Sequence, residues 1–226
     1  MSIAPASLQL AVDGAQHHAG AADGCIDAII ATLADFPADQ AGIRLQGIDR
    51  LQPLLAPAGP VGAVAALTLG PDCRPVRAIL FDKTAARNWP LGWHQDRTIC
   101  VAERRDAPGF GPWTVKHGLQ HVAPPFNVLA RMITLRVHLD DVDNDNAPLK
   151  IACGSHQMGL ISVPDVSSVV AGARIAHCLA RAGDIWAYTT PILHASDSAR
   201  NLRRRRVLQI DYAAGDLPHG LHWLGV

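Results

Sequence analysis

The sequence predicts a mainly β chain: a jelly roll flanked by N-terminal helices. Short runs of strand-like residues recur between Val76 and Tyr212, and turn chemistry separates them. The first seventy residues instead space their apolar positions as helices do.

In chain order, residues 23–36 predict an amphipathic helix. Asp23 stands at the N-cap, Ile26, Ile29, Ile30, Leu33 and Phe36 form one stripe, and Pro37 stops it. Residues 48–55 repeat the pattern weakly. Gly59-Pro60 breaks the chain, and the apolar run 61–69 fits either helix or strand. No chemical constellation falls in this part, and His17 and His18 read as solvated.

From Val76 the pattern changes. Val76 to Lys83 reads as a strand with Arg77, Ile79, Phe81 and Lys83 on one face. A loop from Thr84 to Gly92 leads to Trp93-His94-Gln95-Asp96 and a β-like run from Arg97 to Glu103. Residues 104–125, rich in Gly, Pro and charge, predict a long irregular segment of the kind that serves as a lid, mobile until a ligand orders it. Met132 to Leu139 alternates: Ile133, Leu135, Val137 and Leu139 on one face, Met132, Thr134, Arg136 and His138 on the other. That is a half-buried strand, or one whose second face lines a polar cavity. Further strands are expected at Leu149 to Ala152, Ile185 to Tyr188 after the Gly183-Asp184 turn, around His194, and from Arg205 to Tyr212. Residues 160–174 read as an excursion.

The 226 residues contain no evident linker or repeat, so one domain over 1–226 is expected, with 1–70 as helical support and 76–215 as the jelly-roll core. A hydrophobic content of 49% argues against disorder. Twenty basic residues balance twenty acidic ones, so no global field draws in nucleic acid. Five scattered cysteines without a C-x-x-C pair argue against a disulfide framework and a Cys-based zinc site. Met1 to Pro5 has no leader character and no apolar run is long enough to span a bilayer; a cytoplasmic setting is the expectation.

The chemistry starts at His94 and Asp96. Residues two apart on a strand share a face, so an imidazole and a carboxylate project together and can take adjacent positions on a divalent metal. A two-His, one-carboxylate iron centre needs one more His. His194, at the start of a late strand, can supply it, because distant strands of a jelly roll meet at one mouth. Arg205, eleven residues on, offers a planar fork for a carboxylate. Taken singly these features have plainer readings: a surface His beside a solvated Asp, a hydrogen-bonded structural His194, a solvated basic edge at Arg203 to Arg206.

Taken in order, Trp93-His94-Gln95-Asp96, Leu139-Asp140-Asp141-Val142-Asp143, Pro148-Leu149-Lys150, Gly154-Ser155-His156, Gly183-Asp184, His194-Ala195-Ser196 and Arg205-Arg206-Val207-Leu208 resemble the phytanoyl-CoA dioxygenase family of iron(II)- and 2-oxoglutarate-dependent oxygenases over residues 76–215. The resemblance implies a double-stranded β-helix, iron(II) on His94, Asp96 and His194, and the distal carboxylate of 2-oxoglutarate on Arg205. It also places Trp113 and Lys83 beside the cosubstrate. It implies oxidation, by hydroxylation, of a small molecule by O2, with release of succinate and CO2. A carboxylate at position 96 fits oxidation without halide, since related halogenases carry a small residue there. The chain departs from the family at Ala147, where Gly is common, which concerns the geometry of that turn. Of the four consecutive arginines, spacing favours Arg205 as the inward one, with Arg203 on its face and Arg204 and Arg206 outward.

Two rival readings remain at this level. One is a non-catalytic, cupin-like metal-binding protein, against which Arg205 counts. The other is a nucleic-acid-directed oxygenase using Arg203 to Arg206, against which neutral charge and the lack of an aromatic stacking stripe count. The substrate and the oligomeric state are not legible. His117, His121 and Lys116 are open between substrate contact and solvation, and His138 and Arg136 are expected to be partnered on a sheet face.

Overall fold

The computed structural model describes residues 8–37, 40, 42–84, 86–200 and 203–226; the Met1 to Pro5 segment lies outside them. Thirteen strands follow in order: β1 (Ala15–His18), β2 (Ile43–Leu45), β3 (Cys73–Lys83), β4 (Leu91–His94), β5 (Ile99–Val101), β6 (Trp113–Lys116), β7 (Leu119–Val122), β8 (Met132–His138), β9 (Leu149–Ala152), β10 (Ile175–Cys178), β11 (Ile185–Thr189), β12 (His194–Ser196) and β13 (Arg205–Ala214). A large antiparallel sheet runs β1-β11-β8-β13-β3-β2, a smaller one runs β10-β9-β12-β4, and a third, of three strands, runs β5-β7-β6. The first two are the walls of a double-stranded β-helix. They touch through side chains: Lys83 of β3 donates to the Ser196 hydroxyl of β12, and the Tyr188 ring of β11 lies 5.6 Å from that of His194.

Period-two alternation decides what each face of the large sheet carries. Leu80 of β3, Leu135 and Val137 of β8 and Leu208, Ile210 and Tyr212 of β13 point one way, into a core closed by Ile29, Leu33, Leu55, Val64 and Ala65 of the N-terminal part. The residues between them point into the barrel. There, Val207, Gln209 and Asp211 stand opposite His138, Arg136 and Thr134. β8 is buried along its whole length, so its second face lines a polar interior.

The first seventy residues depart from the expectation of helices alone. Helices do form at Ile26–Leu33, Gln52–Leu55 and Gly62–Leu69. Cys25, not Asp23, is the N-cap of the first. The same part also supplies both edges of the large sheet, with β1 pairing β11 and β2 pairing β3. β1 has no apolar alternation; β2, Ile43-Arg44-Leu45, alternates over only three residues, with Leu45 buried in the core and Ile43 packed on it. His17 is correspondingly not solvated: its Nε2 lies 2.9 Å from Asp184 and its ring stacks on Trp186 at 4.8 Å.

Residues 104–125 contain a hairpin, β6 with β7, where an irregular segment was expected. Lys116 pairs with Leu119, so the loop is His117-Gly118, and both residues have positive φ, 51° and 78°. This is the two-residue turn that matches strand twist, and Gly118 is its sequence signal. Phe110, His121 and Val122 are buried, which ties much of the segment to the body.

Gly183 shows why the Gly-Asp turn is there. Its φ is 93°, and an added Cβ would stand 1.9 Å from the Asp23 carboxylate. Asp184, meanwhile, accepts from the backbone of Gly20 and Arg181. Gly183→Ala should lower stability by about 1–3 kcal/mol through left-handed strain and overpacking. Thermal unfolding checks this, and an unchanged midpoint would mean that Asp23 moves aside freely.

Candidate metal centre and adjoining cavity

His94 ends β4 and faces His194 across the β4–β12 pair. Asp96 follows just past β4. One donor atom from each of the three lies within 4.8 Å of the others, and the imidazoles sit 4.3 Å apart, centroid to centroid. Gln95, between them, points the other way. It is buried, its amide donates to the carbonyls of Gly159 and Pro191, and its oxygen accepts from the Ile161 backbone. That clamp holds the His94–Asp96 stretch against the segment that delivers His194.

The tautomers follow from the neighbours. Nδ1 of His94 lies 2.8 Å from the Gly92 carbonyl, and Nδ1 of His194 lies 3.0 Å from the Ile192 carbonyl. A carbonyl only accepts, so each Nδ1 carries the hydrogen and each Nε2 keeps a lone pair. Burial pushes His194 down to about 4, so it is neutral at physiological pH. Burial alone would raise the Asp96 carboxyl, but Arg77 and the two imidazoles outweigh it and hold it below its ordinary value.

Arg77, on β3, organises the outer shell. It donates to Asp96 at 3.2 Å through Nη2 and to Asp211 at 2.5 Å through Nε. Asp211 also accepts from the Thr134 hydroxyl, which meets Thr190. One oxygen of Asp96 is therefore engaged by Arg77 and the other is left for a metal. Sequence reasoning assigned no role to Arg77 or Asp211. The signals were present: Arg77 shares the β3 face of Lys83, and Asp211 lies six residues from Arg205 on one strand face.

Beyond the triad, Arg205 is the buried member of its arginine run. Arg203 pairs with Asp143, Arg204 with Asp82 and Arg206 with Asp140. Arg205 donates to the Ala147 carbonyl, while its Nε has no partner. Ala147 holds φ at 51°, so the turn in which the chain departs from the family touches Arg205 directly, contrary to the expectation that it concerned turn geometry alone. Lys83 stands opposite Arg205 in the β13–β3 pair. Its ammonium donates to Trp89 O, Ser196 Oγ and Asp197 O. Burial, with Arg205 and Arg136 nearby, pushes it down to about 7, and burial with Arg136 pushes Arg205 down to about 9.

Arg136 donates to Gln209, which also accepts from Tyr188. The Arg136 Nε and both nitrogens of His138 lack partners, so His138 is not the partnered sheet-face residue expected. Among the described residues, no carboxylate pairs with Arg136, Arg205 or Lys83. Trp113 is elsewhere in kind: on β6 it packs half-buried on the cluster of Val76, Ile99, Phe110 and Val122, with Arg104 over its ring at 5.6 Å. His121 is buried against Cys100, 3.0 Å away, and Lys116 is exposed.

A double-stranded β-helix whose mouth gathers two imidazoles and one carboxylate has the donor set of a non-haem iron oxygenase. The phytanoyl-CoA dioxygenase family model matches residues 68–207, and the chain belongs to that family. It is accordingly an enzyme of the 2-oxoglutarate-dependent oxygenases, a class that works with iron(II) and 2-oxoglutarate. No curated protein sequence matches the chain. Among solved structures, it is similar to the non-heme alpha ketoglutarate dependent epimerase SnoN from nogalamycin biosynthesis (TM-score 0.64, 18% identity, 92% of this chain and 79% of that one). EctD from S. alaskensis gives a TM-score of 0.64 at 16% identity, over 96% of this chain and 78% of that one. HygX from Streptomyces hygroscopicus, solved with nickel and 2-oxoglutarate, gives 0.61 at 13%, over 91% and 84%. At these identities the likeness is one of fold. No helix of the described residues is long and apolar enough to cross a membrane.

Proposed function

We propose that this chain is an iron(II)- and 2-oxoglutarate-dependent dioxygenase that hydroxylates a small molecule, releasing succinate and CO2. His94, Asp96 and His194 hold the metal through Nε2, one carboxylate oxygen and Nε2. The observation that carries the reading is the pairing of this donor set with two buried guanidinium groups that lack a carboxylate partner. An unpaired buried charge is costly, and a dicarboxylate supplies what these groups lack. Arg205 takes the distal carboxylate in a forked pair, and Lys83 supports it from the facing strand. Bound iron supplies oxygen activation for attack on a C–H bond.

The chain's own residues bind, orient and exclude water. Arg77 fixes the Asp96 carboxylate so that it presents one oxygen; the carbonyls of Gly92 and Ile192 fix the imidazoles. The reaction needs no nucleic acid and no membrane, only iron(II), 2-oxoglutarate, O2 and the small-molecule substrate. In this reading the chain works as one domain and in the cytoplasm; the core that the helices share with the large sheet supports the first part.

The test is succinate formation from 2-oxoglutarate with iron(II) under air. Iron-dependent succinate, lost on chelation and on Asp96→Ala, is expected. Tight metal binding without any succinate across a broad panel of small-molecule substrates would favour a non-catalytic metal-binding protein.

Cosubstrate binding should depend on pH. A dianion binds better to protonated Lys83, which in the free protein loses its proton near pH 7. Binding therefore takes up a proton above that pH, and affinity falls as pH rises, by up to about tenfold per unit. Calorimetric titration of the metal-loaded protein between pH 6 and 9 reads this slope; Lys83→Met should flatten it and weaken binding at the acid end. An unaltered slope in that variant would remove Lys83 from the site.

A further inference from the structure

A second cavity, about 620 Å³, opens beside the barrel interior, within the size range of small-molecule sites. Its walls include Arg44 of β2, Ile79 and Phe81 of β3, and Arg87, Trp89 and His117 from the loops. A short run of side-chain contacts joins its wall to the metal centre. Arg136 lies over the Phe81 ring at 5.5 Å and donates to Gln209. Gln209 accepts from Tyr188, whose ring is 5.6 Å from His194. On the other side, Lys83 lies over the Trp89 ring at 5.1 Å.

The chemistry of the walls is one-sided. No carboxylate of the described residues lines the cavity. None of the described carboxylates pairs with Arg44 or Arg87, whereas Arg74, Arg77, Arg203, Arg204 and Arg206 are all paired. Nε of Arg44 is buried without a hydrogen-bond partner. Burial, and secondarily Arg77 nearby, lowers the Arg44 pKa from its ordinary value. The same walls carry two aromatic rings, those of Phe81 and Trp89.

We propose that this cavity is the substrate site, and that it takes a small organic acid whose carboxylate or phosphate lies between Arg44 and Arg87 and whose flat apolar body lies against Phe81 and Trp89. The assignment rests on the oxygenase reading above and names its substrate class. A forked guanidinium matches a two-oxygen acceptor, and the rings contribute apolar area and stacking. Lys83 of β3 and Arg205 of β13, paired across the strands, are kept for the cosubstrate and are not among the cavity's lining residues, although Lys83 abuts it at Trp89. A substrate anchored at Arg44 and Arg87 with its body over Phe81 reaches toward the triad along the Arg136–Gln209–Tyr188 wall.

The experiment is binding to the nickel-loaded protein with 2-oxoglutarate present. The probes are benzoate, 4-phenylbutyrate, 2-naphthoate and phenyl phosphate, each carboxylate paired with its neutral amide. At least one acid should bind about tenfold or more tightly than its amide, the loss expected when a charge-assisted hydrogen bond is removed. Arg87→Glu, a change at an exposed position, should abolish that preference with 2-oxoglutarate affinity unchanged, and Arg44→Gln should reduce it. Phenyl phosphate tells the two anions apart: preference for it over the carboxylates assigns a phosphate ester. Equal binding of acids and amides, no binding of any acid at millimolar concentration, or a preference that survives Arg87→Glu would each overturn the assignment. Succinate formation, measured in parallel without probe, is independent: if it appears while the acids fail, the substrate class falls and the oxygenase reading stands. If acids bind but no succinate ever forms, the cavity stands as an organic-acid site while the oxygenase reading, and with it the cavity's role as substrate site, falls.

Discussion

Asp96→Ala is expected to abolish iron-dependent succinate formation and to weaken metal binding by more than a hundredfold. Loss of an outer partner of a metal ligand costs about 10–100-fold, and here a ligand itself is removed. The fold should survive the change. Arg77 keeps Asp211 as its partner at 2.5 Å, so no buried guanidinium is stranded, and Gln95 keeps its clamp on residues 159–161. Arg77→Gln supplies the graded comparison: Asp96 remains but loses its fixed orientation, and metal affinity should fall within the 10–100-fold range. Metal titration and succinate assays on both variants check the order. Full turnover by Asp96→Ala without added halide or carboxylate would contradict the triad.

Arg205→Ala should raise the 2-oxoglutarate requirement by on the order of a hundredfold or more, while metal affinity stays near its original value. Truncating one member of a buried charge pair costs about 3–5 kcal/mol, and Arg205 is only 3% exposed. Arg204→Ala is the control: its side chain is half exposed and engaged by Asp82, so cosubstrate affinity should change little. Equal effects of the two substitutions would point to a general loss of positive charge. A larger effect from Arg136→Gln than from Arg205→Ala would move the cosubstrate carboxylate to the other unpaired guanidinium.

The barrel strands were legible because alternation and function coincide in them. β8 and β13 carry Leu135, Val137, Leu208 and Ile210 outward to the helices, and Arg136, Gln209 and Asp211 inward. Any sequence that builds a polar interior under an apolar coat must show this period of two. The triad was legible for a related reason: His-x-Asp fixes two donors by local geometry, and only one distant residue had to be found. β1 and β2 were not legible, since Ala15–His18 has no alternation and Ile43–Leu45 alternates over only three residues, and both exist as edges of a sheet made elsewhere. The β6–β7 hairpin was hidden by the Gly and Pro residues around it, and its turn was marked only by Gly118. The arginines posed the hardest case. Arg205 is distinguished from Arg204 and Arg206 less by spacing than by Asp82 and Asp140, which engage the outward pair. Arg77 illustrates the remaining gap: its place on the right face was readable, but its two carboxylate partners lie 19 and 134 residues away, and only the fold brings them together.

The most direct test of the metal and cosubstrate site is a crystal structure of the protein grown anaerobically with iron(II) and 2-oxoglutarate. The account predicts one metal bound by Nε2 of His94, an oxygen of Asp96 and Nε2 of His194, with the distal carboxylate of 2-oxoglutarate in a forked pair with Arg205. A metal bound away from these three residues, or a cosubstrate whose distal carboxylate avoids Arg205, would contradict it.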